Sequence, residues 1–176
     1  GVWTGQNTVQ GHVSRGWAMI PVGKLTRRQR AKYPYAGTIV YQGVDCDIET
    51  RAGSIRSGTS PSGEKWSVKM RNHYGAVRGT PGADGDPVDV FIGPDPYSPF
   101  VYVIQSKYPG SADFDETKSM LGFSSRKAAV QAFRAAYTRP GFYQGCTRWP
   151  FGAWRDAMAR PRVAKGELDQ VLAKGV

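Results

Sequence analysis

Residues 84–89 read Asp84-Gly85-Asp86-Pro87-Val88-Asp89 and lead directly into the apolar run 88–92. Gly85 permits a tight turn and Pro87 fixes its own φ angle, so we expect the three carboxylates to face one small volume. Crowded carboxylates repel one another unless a cation neutralises them, and hard divalent ions such as Mg²⁺ prefer oxygen ligands. The run therefore predicts a metal site beside a strand; the alternative is an Asp-Gly turn whose acids are solvated. An EF-hand loop is excluded, because Asp95 stands where that loop needs a bidentate Glu.

Length and composition suit a folded domain of ordinary size. The chain has 176 residues, 40% of them hydrophobic, which favours one domain with a real core and argues against disorder. No apolar run approaches the roughly 20 residues of a membrane span, and the first residues do not resemble a signal peptide. Because the chain begins without Met, we expect it to be part of a larger polypeptide. Its two cysteines supply neither a disulfide framework nor a metal-ligand spacing, which favours a reducing compartment such as the cytoplasm.

The net charge of +10 is distributed unevenly along the chain. Residues 1–44 carry +6, residues 45–116 carry −4, and residues 117–176 carry +8. The basic flanks favour a nucleic-acid partner, whereas the acidic middle favours a bound metal. Both interpretations stay open on charge alone.

Short β-like runs separated by Gly, Pro and Ser fill the middle of the chain. The predicted strands are 38–41, 46–49, 66–70, 88–92 and 100–104. After Gly122 apolar residues recur at helical spacing, which predicts a helix that begins at Ser124 or Ser125, ends before Arg139 and packs one apolar stripe on the core. Further short helices are expected at 26–32, 152–159 and 166–174. The order of elements indicates an α+β fold with C-terminal helices packed on a β-rich core.

Three aromatic residues near the C-terminus allow two interpretations. Trp149, Phe151 and Trp154 lie close to Arg148 and Arg155, as they would in a protein that stacks single-stranded bases. The same residues would equally pack C-terminal helices onto the core, and we favour this second interpretation.

The acidic run resembles the Asp-x-Asp-Pro-x-Asp signature of family I soluble inorganic pyrophosphatases. Further segments follow in the order of that family: Glu49 with the cation Arg56 downstream, the pair Tyr74-Gly75, and the carboxylate cluster 113–118 closed by Lys118. The resemblance covers residues 45–118. It is strongest to the divergent pyrophosphatase-like domain of large multidomain proteins of phages and mobile elements, which implies a host-cytoplasmic or virion-packaged protein.

The resemblance implies a fold and a set of roles. The fold would be a small closed β-barrel of the OB-like kind, with an N-terminal lead segment at 1–36, a catalytic core at 37–140 and a C-terminal helical extension at 141–176. Two or more Mg²⁺ ions would be held by six carboxylates: Asp84, Asp86, Asp89, Glu49, Asp115 and Glu116. The catalytic groups would be Asp86, which would orient or deprotonate the attacking water, together with Tyr74, Lys118 and Arg56. The substrate would be bound by Arg56, Lys69, Arg71, Tyr74, Lys118 and Tyr137.

The function implied is Mg²⁺-dependent hydrolysis of inorganic pyrophosphate to two phosphates. Arg56 stands where the family usually has Lys, and Tyr137 is followed by Thr138 rather than by the family's Lys. These departures leave a nucleotide or another diphosphate as an alternative substrate. A non-catalytic module that binds nucleic acid through its basic flanks is the alternative outside the enzymes. The sequence leaves the oligomeric state open.

Overall fold

The computed structural model describes residues 18–21, 36–80, 87–160 and 167–175. The helix expected at 26–32, most of the lead segment and the carboxylates Asp84 and Asp86 lie outside these ranges. No helix within the described ranges is long and apolar enough to cross a membrane. Cys46 and Cys146 are both free thiols.

Ten strands and three helices make up the described part of the fold. The strands are β1 (Ala18–Pro21), β2 (Gly37–Tyr41), β3 (Val44–Thr50), β4 (Ile55–Thr59), β5 (Lys65–Lys69), β6 (His73–Val77), β7 (Asp89–Ile92), β8 (Phe100–Lys107), β9 (Phe114–Leu121) and β10 (Tyr143–Pro150). The helices are α1 (Arg126–Ala135), α2 (Phe151–Ala159) and α3 (Glu167–Lys174). This composition confirms the predicted α+β class.

Eight strands form one sheet in the order β1-β2-β3-β6-β7-β9-β8-β10, while β4 and β5 form a separate hairpin. Neighbouring strands of the large sheet are antiparallel except β7 and β9, which run parallel. In the described pairings β1 and β10 lie at the two ends of this order. Closure of the sheet into a barrel therefore stays a prediction.

The sheet separates two apolar clusters, because successive side chains of a strand point to opposite faces. Along β8, Val101 and Val103 belong to the cluster that α2 and α3 cover, whereas Tyr102 and Ile104 belong to the cluster beneath α1. Helix α1 begins where expected, with Ser125 as its N-cap accepting a hydrogen bond from the N–H of Ala128. The candidate site lies on the α1 side of the sheet.

The C-terminal region differs in one element from the prediction. Residues 143–150, expected to belong to a helical extension, form strand β10 and pair with β8 over its whole length. The extended form of this stretch is stabilised by its pairing with β8. Packing of the aromatic residues is confirmed, since Trp149, Phe151 and Trp154 are all buried in the core. The boundaries at 36 and 140 stay predictions.

A buried ion pair fastens the early strands together. Asp47 on β3 is 3% exposed, and the guanidinium of Arg78 donates to its carboxylate, with Nη2 2.6 Å from Oδ1. The hydroxyl of Thr38 on β2 donates to the same oxygen over 2.8 Å. This cluster compensates the cost of burying a carboxylate, and it keeps Asp47 out of the candidate site.

Candidate active site

A buried lysine lies at the centre of the candidate site. The ammonium of Lys118, on β9, donates to Asp89 Oδ2 at 2.6 Å and to the Tyr74 hydroxyl at 2.9 Å, and it forms an ion pair with Glu116 Oε1 at 2.7 Å. The Lys118 side chain is only 7% exposed, whereas that of Asp89 is 23% and that of Glu116 is 42% exposed. Two hydrogen bonds and one ion pair therefore compensate the buried charge of this ammonium.

Strand register brings these groups together from distant parts of the chain. Asp89 is paired with Lys118 where β7 and β9 run parallel, which places the two side chains side by side on one face. Tyr74 lies on β6, opposite Phe91 on the neighbouring strand β7. The two rings pack with centroids 4.8 Å apart. Glu116 precedes Lys118 by two residues on β9 and therefore shares its face.

Burial and mutual charge decide the protonation of the cluster. Burial lowers the pKa of Lys118, but the charges of Asp89 and Glu116 outweigh it and hold that pKa well above its ordinary value. Burial raises the pKa of Asp89 to about 6, against the opposing effect of Lys118 and with a further rise from Glu116. Burial also raises the pKa of Tyr74 far above its ordinary value. At neutral pH the site therefore holds a protonated lysine and a neutral tyrosine hydroxyl.

A cavity of about 150 Å³ opens beside this cluster. Of the six predicted site residues that line it, five lie on strands: Arg56, Tyr74, Asp115, Glu116 and Lys118. The guanidinium carbon of Arg56, on β4, lies 4.7 Å from the centre of the Tyr74 ring. Tyr137, at the end of α1, also lines the cavity, and its pKa is raised by burial. The cavity thus combines three cations, two carboxylates and three phenols.

Glu49 reaches this region through an irregularity in β3. The pairing of β3 with β6 shifts between Ile48 and Thr50, so Glu49 is the extra residue of a bulge opposite Tyr74 and Gly75. The Glu49 side chain is exposed, and its charge is near enough to contribute to the raised pKa of Asp89. A bulge here turns a carboxylate toward the edge of the site.

Gly75 is required by the same close approach of strands. A Cβ at this position would lie 2.0 Å from the carbonyl oxygen of Asp47 on β3, a distance that no side chain tolerates. The Tyr74-Gly75 pair therefore combines a functional phenol with the one residue type that lets β6 pack against β3.

The structure does not bring every predicted residue to the cavity. Lys69 and Arg71 are both exposed and do not line it, because the half-buried face of β5 is formed by Trp66 and Val68 instead. Asp84 and Asp86 are outside the described residues. The roles assigned to all of these residues stay predictions.

Sequence reasoning missed part of the cavity wall. Ser106, Lys107, Tyr108 and Phe142 line it, and Ser106 donates from its hydroxyl to the carbonyl oxygen of Glu116. Phe142 stacks on Tyr137 with ring centroids 4.3 Å apart. These residues come from strand ends and a loop, where neither spacing nor residue type indicates a site.

The donor chemistry of the cluster suits a hard divalent ion, because its anionic ligands are carboxylate oxygens. Asp89 and Glu116 share one cation already, the ammonium of Lys118, which shows that this position favours positive charge. Within the ranges that the structure describes, no group of three or more potential ligands is assembled. Asp84 and Asp86, two of the predicted ligands, lie outside those ranges.

Comparison with known proteins gives one match. A family model described as Inorganic Pyrophosphatase matches residues 26–157, about three quarters of the chain. Comparisons with curated proteins and with solved structures found no match.

Proposed function

Because the chain belongs to the inorganic pyrophosphatase family, we propose that it hydrolyses inorganic pyrophosphate to two phosphates with the help of Mg²⁺. The observation that carries this proposal is the buried cluster of Lys118, Asp89, Glu116 and Tyr74 beside a cavity that Arg56 also lines. Pyrophosphate is a small polyanion, and a cavity of about 150 Å³ with two fixed cations suits its size and charge.

The cations of the chain hold the substrate and stabilise the charge that develops on the leaving phosphate. Arg56 offers a planar pair of N–H donors that can bind two phosphate oxygens at once. Lys118 keeps its charge at neutral pH because Asp89 and Glu116 raise its pKa. The two cations lie on different strands, β4 and β9, so a diphosphate between them would be fixed at both ends.

Tyr74 is a hydrogen-bond donor in this arrangement. Its oxygen accepts from the Lys118 ammonium, which leaves the O–H proton of the phenol to donate to a phosphate oxygen. Since burial keeps the phenol protonated, Tyr74 does not serve as a base. Asp86 is the proposed group for orienting or deprotonating the water.

Asp84, Asp86 and Asp89 are the proposed ligands of the first Mg²⁺, with Glu49, Asp115 and Glu116 as the proposed second group. When bound, Mg²⁺ neutralises phosphate charge and makes water more acidic. The parent protein that we propose is one of a phage or mobile element, acting in the host cytoplasm or packaged in a virion.

The test is a phosphate-release assay on pyrophosphate, with and without Mg²⁺. We expect the wild-type protein to release phosphate only with the metal, and Asp89→Asn to abolish release while the protein stays folded. Asp156→Asn is the matched control, because Asp156 is exposed on α2 and should leave the rate unchanged. If the wild-type protein with Mg²⁺ releases no phosphate, the proposed function is wrong.

A further inference from the structure

A second, larger cavity adjoins the one that contains Lys118. Its volume is about 510 Å³, and its wall is shared with the smaller cavity through Arg56, Tyr108, Ala136, Tyr137 and Phe142. Inorganic pyrophosphate would fit in the smaller cavity alone, so the proposed reaction makes no use of this neighbouring volume. Its size falls in the range of sites for drug-sized organic ligands.

The larger cavity is lined by aromatic rings and by mostly positive charges. Trp66, Tyr108, Tyr137 and Phe142 supply the rings. Arg56, Lys65 and Arg139 supply three cations against the single carboxylate of Glu64. Arg139 lies over two of the rings, with its guanidinium carbon 5.7 Å from the Tyr108 ring centre and 5.9 Å from that of Phe142. Aromatic rings with arginines over them bind planar heteroaromatic bases.

The indole of Trp66 is held flat by the strand beneath it. Trp66 on β5 pairs with Gly58 on β4, and a Cβ at position 58 would lie 2.6 Å from the indole ring. The glycine therefore leaves room for the ring to lie on the backbone of the hairpin. A half-buried indole fixed in this way is a preformed stacking surface.

Arg56 connects the two cavities. Its guanidinium carbon lies 5.2 Å from the Trp66 ring centre and 4.7 Å from the Tyr74 ring centre. Arg56 thus lies beside Trp66 of the larger cavity and beside Tyr74 of the smaller cavity. A ligand that fills both cavities would have its anionic part beside Lys118 and its aromatic part beside Trp66, with Arg56 at the junction.

We propose that the substrate is a nucleoside 5′-diphosphate whose base and ribose occupy the Trp66 cavity and whose two phosphates occupy the Lys118 cavity. This inference rests on the proposed phosphoanhydride hydrolysis and names its substrate class. Water forms a bond to the terminal phosphorus and the bond from that phosphorus to the bridging oxygen breaks. The nucleoside monophosphate leaves with the bridging oxygen and its electron pair, and one proton is released in forming the two products. Inorganic pyrophosphate lacks the base and would bind through the Lys118 cavity alone.

The test is isothermal titration calorimetry with Mg²⁺ and two non-hydrolysable probes, methylenediphosphonate and the α,β-methylene analogue of adenosine 5′-diphosphate. We expect the adenosine probe to bind at least about tenfold more tightly to the wild-type protein, since stacking of one base contributes this much. Trp66→Ala should reduce this preference to less than about twofold without changing the affinity for methylenediphosphonate, and Trp66→Phe should retain most of it. Tyr97→Ala is the control, because Tyr97 is 65% exposed and lines neither cavity.

Equal affinities of the two probes for the wild-type protein would overturn the inference, as would a preference that survives in Trp66→Ala. A parallel loss of both affinities in Trp66→Ala would also overturn it, since the indole would then act only through Arg56. Phosphate release is measured alongside on pyrophosphate and on adenosine 5′-diphosphate. If the protein binds both probes equally yet hydrolyses pyrophosphate, only the proposed base cavity is contradicted. If it prefers the adenosine probe yet hydrolyses neither substrate, the proposed hydrolysis is contradicted.

Discussion

Lys118 is a buried cation whose charge is balanced by two carboxylates and a phenol of the same site. Lys118→Met removes the charge but keeps the length of the side chain, so Asp89 and Glu116 would face each other without a cation between them. We expect the rate of phosphate release from pyrophosphate to fall by about 100-fold or more, as on removal of one group that stabilises a developing anion. A steady-state assay on the folded variant measures this.

The control for this substitution is Lys127→Met. It removes the same charge from an exposed position on α1 outside the cluster. Its rate should stay within about twofold of wild type. Equal losses in the two variants would mean that net charge, rather than the position of Lys118, governs the rate.

Gly75 supports the site through the backbone rather than through a side chain. Gly75→Ala would force β6 away from the carbonyl oxygen of Asp47, and we expect a loss of about 3 kcal/mol, at the upper end of the cost of overpacking. Urea unfolding measures the free energy. Gly152→Ala is the matched control, since an added Cβ there contacts nothing on α2 and should be neutral or stabilising. An unchanged unfolding midpoint for Gly75→Ala would contradict the close approach of the strands.

Resemblance to the motifs of a known family made part of the site predictable. Arg56, Tyr74, Glu116 and Lys118 were named from the sequence, and the structure brings all of them to one small cavity. Lys69 was named on the same grounds and lies on the exposed face of the hairpin, outside the lining of the cavity, so its role stays a prediction. Tyr108 and Phe142 carry no spacing signal, since only the tertiary fold brings their loops to the cavity.

The carboxylate of Asp169 joins helix α3 to the sheet through hydrogen bonds. Asp169 accepts hydrogen bonds from the main-chain N–H of Thr117 at 3.0 Å and from its hydroxyl at 2.5 Å. Burial raises the pKa of Asp169 even though both bonds from Thr117 oppose the change. The folded state therefore holds this proton more tightly than the unfolded chain does.

The raised pKa of Asp169 predicts how the stability of the fold depends on pH. The stabilisation linked to the Asp169 proton is fully present below the unfolded pKa and is lost as pH rises through the raised folded pKa. Asp169→Asn keeps the acceptor oxygen but carries no titrating proton. We expect the wild-type protein to lose stability relative to Asp169→Asn as pH rises above the ordinary Asp pKa of about 3.9, measured by urea unfolding at each pH. A difference that is constant with pH, or the same trend in the exposed control Asp156→Asn, would contradict the assignment.

An element with strong local sequence signals was predicted correctly, whereas a strand that depends on long-range pairing was not. Helix α1 has a serine cap and a clear apolar stripe, so its start could be predicted from the sequence to within a residue. Strand β10 has Gly145 within it and Pro150 at its end, both of which weaken strand signals. Its extended form comes from pairing with β8, a long-range contact that no local window contains.

The uneven distribution of charge along the chain can be compared with the position of the candidate site. The acidic middle of the chain supplies Asp89 and Glu116, while the basic C-terminal part supplies the Lys118 that lies between them. The candidate site is therefore formed at the boundary between oppositely charged parts of the sequence. A net charge of +10 on the whole chain favours the approach of a polyanion.

The C-terminal helices belong to the same core as the sheet, which predicts one cooperative unfolding unit. Leu172 on α3 is fully buried, and its carbonyl oxygen accepts from the indole N–H of Trp149 on β10 at 2.9 Å. Leu172→Ala should cost about 2–5 kcal/mol, as truncations of buried leucines do. Lys174→Ala, at the exposed end of α3, should cost less than about 0.5 kcal/mol.

Tryptophan fluorescence and far-ultraviolet circular dichroism are then followed together in urea, because Trp149 and Trp154 report on the shared core and the dichroism reports on all elements. We expect the two transitions of each variant to coincide, with that of Leu172→Ala displaced to lower urea as a whole. If the fluorescence of Leu172→Ala changes at lower urea than its dichroism, the C-terminal helices unfold separately. In that case residues 141–176 would form an extension with its own stability, and β10 alone would hold it to the sheet.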